Sequence, residues 1–217
     1  MKVYFDVGAN DGEWGIEKAS KESDCIVYAF EPTPRFIESI KEKTKELPNY
    51  VLIGKAVSNK EGTTKFNIAD GGGGCSSLLE MKSQQILRRT WPGRTDIVKI
   101  AEIEVDCIRM DSFCKGYKIE RVDFFHCDTQ GHDLDVLDSF GDLINIVEAG
   151  EIETAGSGDR AIYVNQTNTV DACRKFCESK GLVIVDIQRN DPLNNEFNVI
   201  FKKPDTPDPS FTQSIWL

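Results

Sequence analysis

The segment FDVGANDG, residues 5–12, joins an apolar strand pattern to a helical one. The apolar residues within 2–7 predict a strand, and apolar residues recur at helical spacing after Gly12. A glycine-rich turn between a strand and a helix is the setting that a ligand-binding loop requires. Gly8 permits a tight turn there, and Gly12 lets the backbone approach a ligand. The segment therefore predicts a ligand loop at the carboxyl end of the first strand.

A carboxylate stands where such a loop would need one. Glu31 closes the second predicted strand, VYAFE, nineteen positions after Gly12. In doubly wound sheets, a carboxylate about 20 residues beyond the glycine loop binds ribose hydroxyls. The glycine loop and a carboxylate at this spacing together predict a ligand that contains a nucleoside. The alternative is an ordinary glycine turn and a solvated glutamate.

The charge of the loop discriminates between two such ligands. Asn10 replaces the second glycine of the dinucleotide pattern GxGxxG, and the loop carries Asp6, Asp11 and Glu13. Like charges 4 Å apart repel by about 4 kcal/mol at an effective dielectric constant of 20, so this loop is a poor cradle for the pyrophosphate of NAD. It suits a ligand with a sulfonium and an ammonium group. The loop therefore favours S-adenosylmethionine (SAM) over NAD.

Short apolar runs alternate with amphipathic stretches, which predicts an α/β fold with a mostly parallel, doubly wound sheet. The predicted strands cover 2–7, 26–30, 50–53, 56–57, 64–68, 99–105, 122–127, 144–152, 182–187 and 197–202. The predicted helices cover 15–21, 34–47, 78–88, 110–115, 134–140 and 169–180. A polar turn at 189–196 separates the last two strands, so we expect the sheet to end in an antiparallel hairpin.

Length and charge limit the class of protein. The chain has 217 residues, 40% of them hydrophobic, which is enough for one buried core. We predict one domain over 1–203 and an extended tail over 204–217, whose Ile215 and Trp216 dock back or contact a partner. No apolar run approaches the ~18–20 residues of a membrane span. The net charge of −10 disfavours a nucleic-acid partner, because such sites concentrate Lys and Arg on one face.

The cysteines indicate a reducing compartment. Their number, seven, is odd, and no CxxC pair occurs, so we expect buried free thiols rather than disulfides or a zinc site. Met1 leads directly into the first predicted strand without a signal-peptide pattern. These features predict a cytoplasmic protein, or a domain of a longer chain.

Five runs, taken in order, resemble one family. They are FDVGANDG, YAFEPTPRFIESIKE, KAVSNKEGTTKF, GGGGCSSL and VDFFHCDTQGHDLDVL. In order and spacing, from residue 3 to about 202, the chain resembles the FkbM-type class I S-adenosylmethionine-dependent methyltransferases. The resemblance implies a Rossmann-like seven-stranded sheet with an antiparallel strand at its end. It also implies O-methylation of hydroxyls, chiefly of sugars and other natural products, and leaves open fusion to, or association with, a glycosyltransferase.

The resemblance also assigns residues to the cofactor. It places around the methionine part of SAM the loop residues Asp6, Gly8, Ala9, Asn10 and Gly12. Glu31 would hold the ribose with Pro32 beside it, and Val57 and Ser58 would lie near the adenine. Asp128 matches the aspartate of the family pattern KIDxxG, which reads HCDTQG in this chain.

Methyl transfer to oxygen needs a group that removes the hydroxyl proton, and such a base contributes about 10²–10⁴-fold. Asp128 ends the predicted strand 122–127 at the edge where ligands gather in open α/β sheets, so it is the first candidate for the base or for an organiser of the methyl end. Its alternative role is a helix cap. His126 and His132 are the other candidates. His132 falls in the predicted first helical turn, which favours a neutral ring that can accept a proton. For each histidine the alternative is packing.

A divalent metal is a further hypothesis. The mixed nitrogen and oxygen donors near Asp128 suit Mg²⁺, Mn²⁺ or Zn²⁺ and would clamp two sugar hydroxyls. The donors that could assemble are His126, Asp128, His132 and Asp133, with Glu151 or Glu153 from the next strand. No spacing among them is diagnostic, and Asp128, Asp133 and Glu151 are the leading candidates.

Several segments could cover the acceptor. The glycine run 71–74 has the hinge freedom of a lid, and the stretch 88–91 could close with it. Trp91 and Tyr163 could stack on a sugar face or belong to the core. The polar run 165–168 could bind hydroxyls or form a plain loop.

The sequence thus predicts a SAM-dependent O-methyltransferase that acts on a hydroxyl of a sugar or glycan. The alternatives are a methyltransferase for a small-molecule, lipid or protein acceptor, an NAD-linked oxidoreductase, and a nucleotide-binding module without catalysis.

Overall fold

The computed structural model describes residues 1–190 and 195–209 of the chain. Strand β1 (Lys2–Val7) lies inside the main sheet, between two parallel neighbours. The neighbours of β1 are β2 (Cys25–Phe30) and β7 (Phe124–Cys127). Phe5 in β1 is fully buried, as expected for a strand that is covered on both faces.

Within the described residues, the main sheet has seven strands in the order β3-β2-β1-β7-β8-β10-β9. The strands not yet named are β3 (Tyr50–Ile53), β8 (Ala149–Ala155), β9 (Val183–Arg189) and β10 (Glu196–Lys202). Strand β10 is antiparallel to both neighbours, which confirms the predicted α/β class and the final hairpin. The strand order reverses between β1 and β7, and ligands bind at the carboxyl ends of strands around such a switch point.

Helices cover both faces of the main sheet. One face carries α1 (Glu13–Lys21) and α2 (Pro34–Thr44), which pack Ala19 and Ile40 against Val27. The helices whose buried residues join the large core on the other face are α4 (Met110–Tyr117), α5 (Asp133–Asp138) and α6 (Val170–Ser179). Helix α3 (Gln84–Thr90) packs in a separate small cluster.

Three of the predicted strands form a second sheet of their own. They are β4 (Ala56–Val57), β5 (Gly62–Ala69) and β6 (Lys99–Ile108), in the order β4-β6-β5. Strands β5 and β6 pair antiparallel along their whole length. Because their alternating pattern resembles that of any half-buried strand, the sequence did not separate them from the main sheet.

Two predicted elements were wrong in part. The segment 144–152 was predicted as one strand, but a 3₁₀ helix (Gly141–Ile146) ends there and β8 begins only at Ala149. A short apolar run fits a buried helical turn as well as a strand. The segment 78–88 was predicted as a helix, but α3 begins at Gln84. Before it, Met81 forms a bridge with Tyr163 that keeps the chain extended.

All seven cysteines are free and buried, as predicted. The first residues of the tail contact the domain, because the Thr206 hydroxyl donates to Glu148 at 2.7 Å and the Lys202 ammonium donates to the Thr206 carbonyl at 2.7 Å. The predicted docking of residues 215 and 216 lies outside the described residues. In the part of the chain described, no helix has the length and apolar character to cross a membrane.

Candidate active site

The carboxyl ends of β1 and β2 open onto a space of about 600 Å³, mouth included, which we call the main cleft. Its polar side comes from the ends of β1, β2 and β7: Gly8, Asn10, Glu31, Asp128, Gln130 and His132. Its apolar side comes from α2, β4 and the segments around them: Phe36, Val57, Phe66 and Leu78. A polar edge facing an apolar wall is the usual form of a small-molecule site.

The glycine loop presses its backbone against the end of β7. Gly8 has φ of 82°, and a Cβ atom built on it would overlap the carbonyl oxygen of Asp128. Gly12 (φ 84°) precedes α1 and packs on Ile16 and Ile40. Only glycine combines a left-handed backbone with such a close approach at Gly8, which explains the tight turn there, whereas Gly12 packs on the core and does not line the main cleft.

Glu31 anchors the loop from the next strand. Its side chain is buried, with Oε2 accepting from the Asn10 amide at 2.8 Å and Oε1 accepting from the Thr33 amide at 2.7 Å. Burial raises the pKa of Glu31, and the two backbone hydrogen bonds oppose that rise. Each carboxylate oxygen has a second lone pair, so Glu31 can still accept from ligand hydroxyls.

Asp6 and His126 lie behind the main cleft and do not line it. Asp6 is 1% exposed; its Oδ2 accepts from the Gly15 amide at 3.1 Å, and its Oδ1 is 2.9 Å from Nδ1 of His126. The His126 ring stacks on Trp14 with centroids 4.7 Å apart. Burial lowers the pKa of His126, but the hydrogen bond and charge of Asp6 outweigh burial and raise it overall. This pair joins α1 to the centre of the sheet.

Of the other residues predicted to contact SAM, some line the main cleft and others are buried outside it. Pro32 and Val57 line the main cleft, as does Asn10. Ala9 is buried in the cluster beneath the loop. Ser58 is buried and meets Nε2 of His132 at 3.1 Å.

His132 lies immediately before α5, at the N-cap position, and lines the main cleft. Its Nδ1 lies 3.2 Å from Oδ2 of Asp135. Burial lowers the pKa of His132, and the charge of Asp135 opposes this. Burial thus acts on the pKa of His132 in the same direction as the helix-dipole effect on which the prediction of a neutral ring was based.

Gln130 links two carboxylates across the end of β7. Its Nε2 donates to Oδ1 of Asp128 at 2.8 Å and to Oε2 of Glu153 at 2.7 Å, while its Oε1 lies 3.0 Å from the Tyr163 hydroxyl. Gln130 has φ of 55°, and a left-handed backbone in a non-glycine residue often marks a functional site. The sequence pattern alone did not indicate a role for Gln130, although it stands in the run DTQG.

Buried carboxyls surround this link. Asp133 is fully buried; its Oδ1 accepts from the Thr129 amide at 3.1 Å and its Oδ2 accepts from Nδ2 of Asn168 at 3.0 Å. Burial and the charge of Asp128 raise the pKa of Asp133 to about 7. Burial, followed by the charge of Asp128, raises the pKa of Glu153 well above its usual range. These carboxyl groups therefore do not all ionise easily together, because the charge of Asp128 raises the pKa of the other two.

The metal candidates do not converge. Glu151 accepts from Nδ2 of Asn198 at 2.6 Å, and Asp133 is enclosed by hydrogen bonds from Thr129 and Asn168. In residues 1–190 and 195–209, no group of three or more His, Cys, Asp or Glu side chains could hold a metal ion.

Trp91 and Tyr163 belong to the core rather than to a sugar platform. Trp91 is 2% exposed and its indole N–H donates to the Arg160 carbonyl at 2.9 Å; the Tyr163 hydroxyl lies 2.8 Å from the Cys75 carbonyl. Asn168, in the polar run 165–168, is buried against Asp133. The glycine run does reach a site, because Gly73 and Gly74 line the main cleft.

A comparison with known families identifies the group to which the chain is related. The family model described as the methyltransferase FkbM domain matches residues 6–162. The chain belongs to the FkbM methyltransferase family. This confirms the predicted resemblance to class I S-adenosylmethionine-dependent methyltransferases, and the match includes the glycine loop, Glu31 and Asp128.

A curated relative is the 2-O-methyltransferase NoeI of Sinorhizobium fredii (strain NBRC 101917 / NGR234). It is 26% identical over 140 residues, which cover 62% of this chain and 56% of NoeI. The chain therefore spans little more than half the length of this relative.

Solved structures share the fold. TrmK of M. capricolum, solved with the cofactor product S-adenosyl-homocysteine, has a TM-score of 0.52 at 10% identity and covers 98% of this chain and 66% of that one. Aeropyrum pernix fibrillarin, solved with natively bound S-adenosyl-L-methionine, has a TM-score of 0.50 at 12% identity and covers 93% and 65%. The FkbM domain thus has the class I methyltransferase fold that the sequence predicted.

Proposed function

We propose that this domain transfers a methyl group from SAM to a hydroxyl of a sugar or glycan, and that Asp128 removes the hydroxyl proton. One observation carries the proposal. A half-buried carboxylate at the end of β7 shares the main cleft with the glycine loop and Glu31. Donor binding and proton removal can therefore occur side by side.

The main cleft fits SAM in shape and charge. Glu31 has lone pairs for the ribose hydroxyls, and the wall with Phe36 and Val57 suits the adenine. The close approach of Gly8 leaves the loop backbone beside the methionine end. When bound, SAM supplies a methyl carbon made electrophilic by its positive sulfur. Asp128 places a negative charge in the same cleft, which favours a cationic ligand.

Asp128 is better placed than either histidine to act on an acceptor. Among the described residues, its hydrogen bond from Gln130 engages Oδ1, so Oδ2 remains to accept a proton. Nε2 of His132 already meets Ser58, and Nδ1 of His126 meets Asp6. The Gln130 bond also fixes the orientation of the Asp128 carboxylate, which general-base catalysis requires.

The choice of oxygen as the acceptor rests on the relative. NoeI is a 2-O-methyltransferase, and it is 26% identical to this chain over 140 residues. A small-molecule, lipid or protein acceptor would use the same carboxylate, so these remain the alternative acceptors. An NAD-linked oxidoreductase is the more distant alternative, because Asn10 interrupts the dinucleotide pattern.

Calorimetry and turnover of an Asp128→Asn variant test the proposal. We expect SAM to bind at micromolar concentration or below and NAD to give no heat. The variant should keep its SAM affinity. Its rate of methylation of a panel of glycans, measured by mass spectrometry with labelled SAM, should fall at least about tenfold. Asp24→Asn, at an exposed position, is the matched control. Full turnover in Asp128→Asn would remove Asp128 from the mechanism, and NAD binding without SAM binding would overturn the donor.

A further inference from the structure

Tyr163 lies beside the candidate site without lining the main cleft, and its hydroxyl contacts two parts of that site. The hydroxyl oxygen is 3.0 Å from Oε1 of Gln130 and 2.8 Å from the carbonyl oxygen of Cys75, which follows the glycine run. Both oxygens are acceptors, so they share the one hydroxyl proton. Burial raises the pKa of Tyr163 well above its usual range, so the hydroxyl keeps this proton and remains a donor.

Three hydrogen bonds hold the side-chain amide of Gln130. Its two N–H groups donate to Oδ1 of Asp128 at 2.8 Å and to Oε2 of Glu153 at 2.7 Å, and its oxygen accepts from the Tyr163 hydroxyl. Gln130 is 8% exposed, so water does not readily replace a lost partner. Tyr163 therefore fixes the oxygen end of this amide, opposite the end that contacts the two carboxyl groups.

Of the three partners of the Gln130 amide, Asp128 is the one that lines the main cleft. Glu153 and Tyr163 contact Gln130 from outside the cleft. A shift of the amide would therefore move or release the carboxylate that faces the donor. A small displacement of a reacting group can cost much of the rate, so a residue that holds the amide can affect the reaction without touching a substrate.

We propose that Tyr163 is a positioning residue for methyl transfer, which acts through Gln130 on the carboxylate of Asp128. This inference rests on the proposed function, because it takes Asp128 as the base. Packing in the small cluster around α3 requires the ring of Tyr163, whereas the contact with Gln130 requires its hydroxyl. The contact with Cys75 gives the hydroxyl a second role, since it holds the end of the glycine run, which reaches the main cleft.

The kinetics of a Tyr163→Phe variant separate these two roles. Loss of the contact with Gln130 should lower kcat for methylation of the glycan panel about tenfold and leave KM for SAM unchanged, because the hydroxyl does not line the main cleft. Loss of the contact with Cys75 alone would raise KM for SAM, because the glycine run lines the cleft. Tyr28→Phe, whose ring packs on the large core, is the matched control. An unchanged kcat, or a change in KM alone, would overturn the proposal.

A double-mutant cycle tests whether Tyr163 acts through Gln130. Gln130→Met has a side chain of similar length without the amide, so we expect it to lower kcat at least as much as Tyr163→Phe does. In the double variant, Tyr163→Phe should cause no further loss, because the amide that it contacts is already absent. Additive losses in kcat would overturn the proposal, since the two side chains would then affect the reaction independently.

A third measurement needs neither donor nor acceptor. The side-chain NH₂ signals of Gln130 are recorded by ¹H–¹⁵N NMR on the free protein and assigned by their loss in Gln130→Met. Their exchange with water should be at least about tenfold faster in Tyr163→Phe and unchanged in Tyr28→Phe. Equal exchange rates in the wild type and Tyr163→Phe would overturn this proposal and leave the proposed function standing. Absence of SAM binding to the wild type in calorimetry would contradict the proposed function itself.

Discussion

The main cleft and the hydrogen-bond network around Gln130, which we call the Gln130 network, share the Gln130 side chain but are built from different parts of the chain. The main cleft takes its polar contacts from backbone: the left-handed turn at Gly8 and the amides of Asn10 and Thr33 that hold Glu31. The Gln130 network is built from side chains of distant segments, such as Gln130, Glu153 and Tyr163. The cleft depends on backbone conformation, and the network depends on hydrogen bonds between side chains.

This difference indicates how each site responds to sequence change. A backbone-built site needs a few residue types at fixed spacing, because only certain residues permit its dihedral angles. A side-chain network depends on every member being satisfied, since each unpaired buried group is costly. We therefore expect the main cleft to fail abruptly when its glycine changes. The Gln130 network should respond in a graded way to substitution and to pH.

The largest effect should come from Gly8→Ala. The added Cβ would overlap the carbonyl of Asp128, and the residue would keep a φ of 82° that alanine disfavours. We expect a loss of at least about 4 kcal/mol in the free energy of unfolding, in the exceptional range for one substitution, together with loss of measurable SAM binding. Chemical denaturation and calorimetry measure the two effects.

Gly62→Ala is the control for the backbone effect. Gly62 also has a positive φ, 110°, but an added Cβ would meet nothing within 4 Å. Its cost should be about 1–2 kcal/mol, with SAM binding retained. If Gly8→Ala cost no more than Gly62→Ala, the close contact between the glycine loop and the end of β7 would not be important.

The next effect concerns pH and the buried carboxyls near Gln130. The pKa of Asp133 is raised to about 7 in the folded state from about 3.8, so the folded protein binds this proton more tightly than the unfolded chain does. The stabilisation is complete below about pH 4 and is lost as the pH rises through 7. It amounts to no more than about 4 kcal/mol, and Glu153 acts in the same direction. Denaturant titrations from pH 4 to 8 measure the slope.

Asp133→Asn should flatten this slope. The absolute free energy of unfolding of the variant does not isolate the ionisation of Asp133. An amide cannot accept from both Thr129 and Asn168, so the variant also loses a hydrogen bond. The dependence on pH is the useful measurement, and Asp24→Asn should leave it as in the wild type. An unchanged slope in Asp133→Asn would show that Asp133 ionises without penalty.

The contrast between a site built from backbone and one built from side chains also explains which site residues could be predicted from the sequence. Gly8, Glu31 and Asp128 were found because each stands at a fixed distance from a strand end, and strand ends of a parallel sheet meet at one edge. Gln130 was missed because its importance comes from contacts with Glu153 and Tyr163, which are far away in sequence. Local patterns carry no information on which side chains meet across a fold.

The errors in the predicted elements have a similar origin. For Trp91 and Tyr163 the sequence left open a sugar-stacking role and a core role, and the small cluster around α3 buries both. The bridge between Met81 and Tyr163 kept the segment before α3 extended despite its helical pattern. In both cases tertiary contacts, rather than the local pattern, decided the outcome.

The smallest effect should come from Glu31→Gln, which tests whether the main cleft needs a charge as well as a backbone shape. An amide can accept from only one of the Asn10 and Thr33 amides and turns its NH₂ group toward the other. The variant also loses the negative charge that strengthens hydrogen bonds from the ribose hydroxyls. A hydrogen bond to a charged group contributes about 1.5–3 kcal/mol. We therefore expect SAM affinity in calorimetry to fall by roughly 10–100-fold. Glu38→Gln, on the exposed side of α2, should bind normally. An unchanged dissociation constant in Glu31→Gln would mean that the ribose is held elsewhere and that the backbone of the loop alone determines binding.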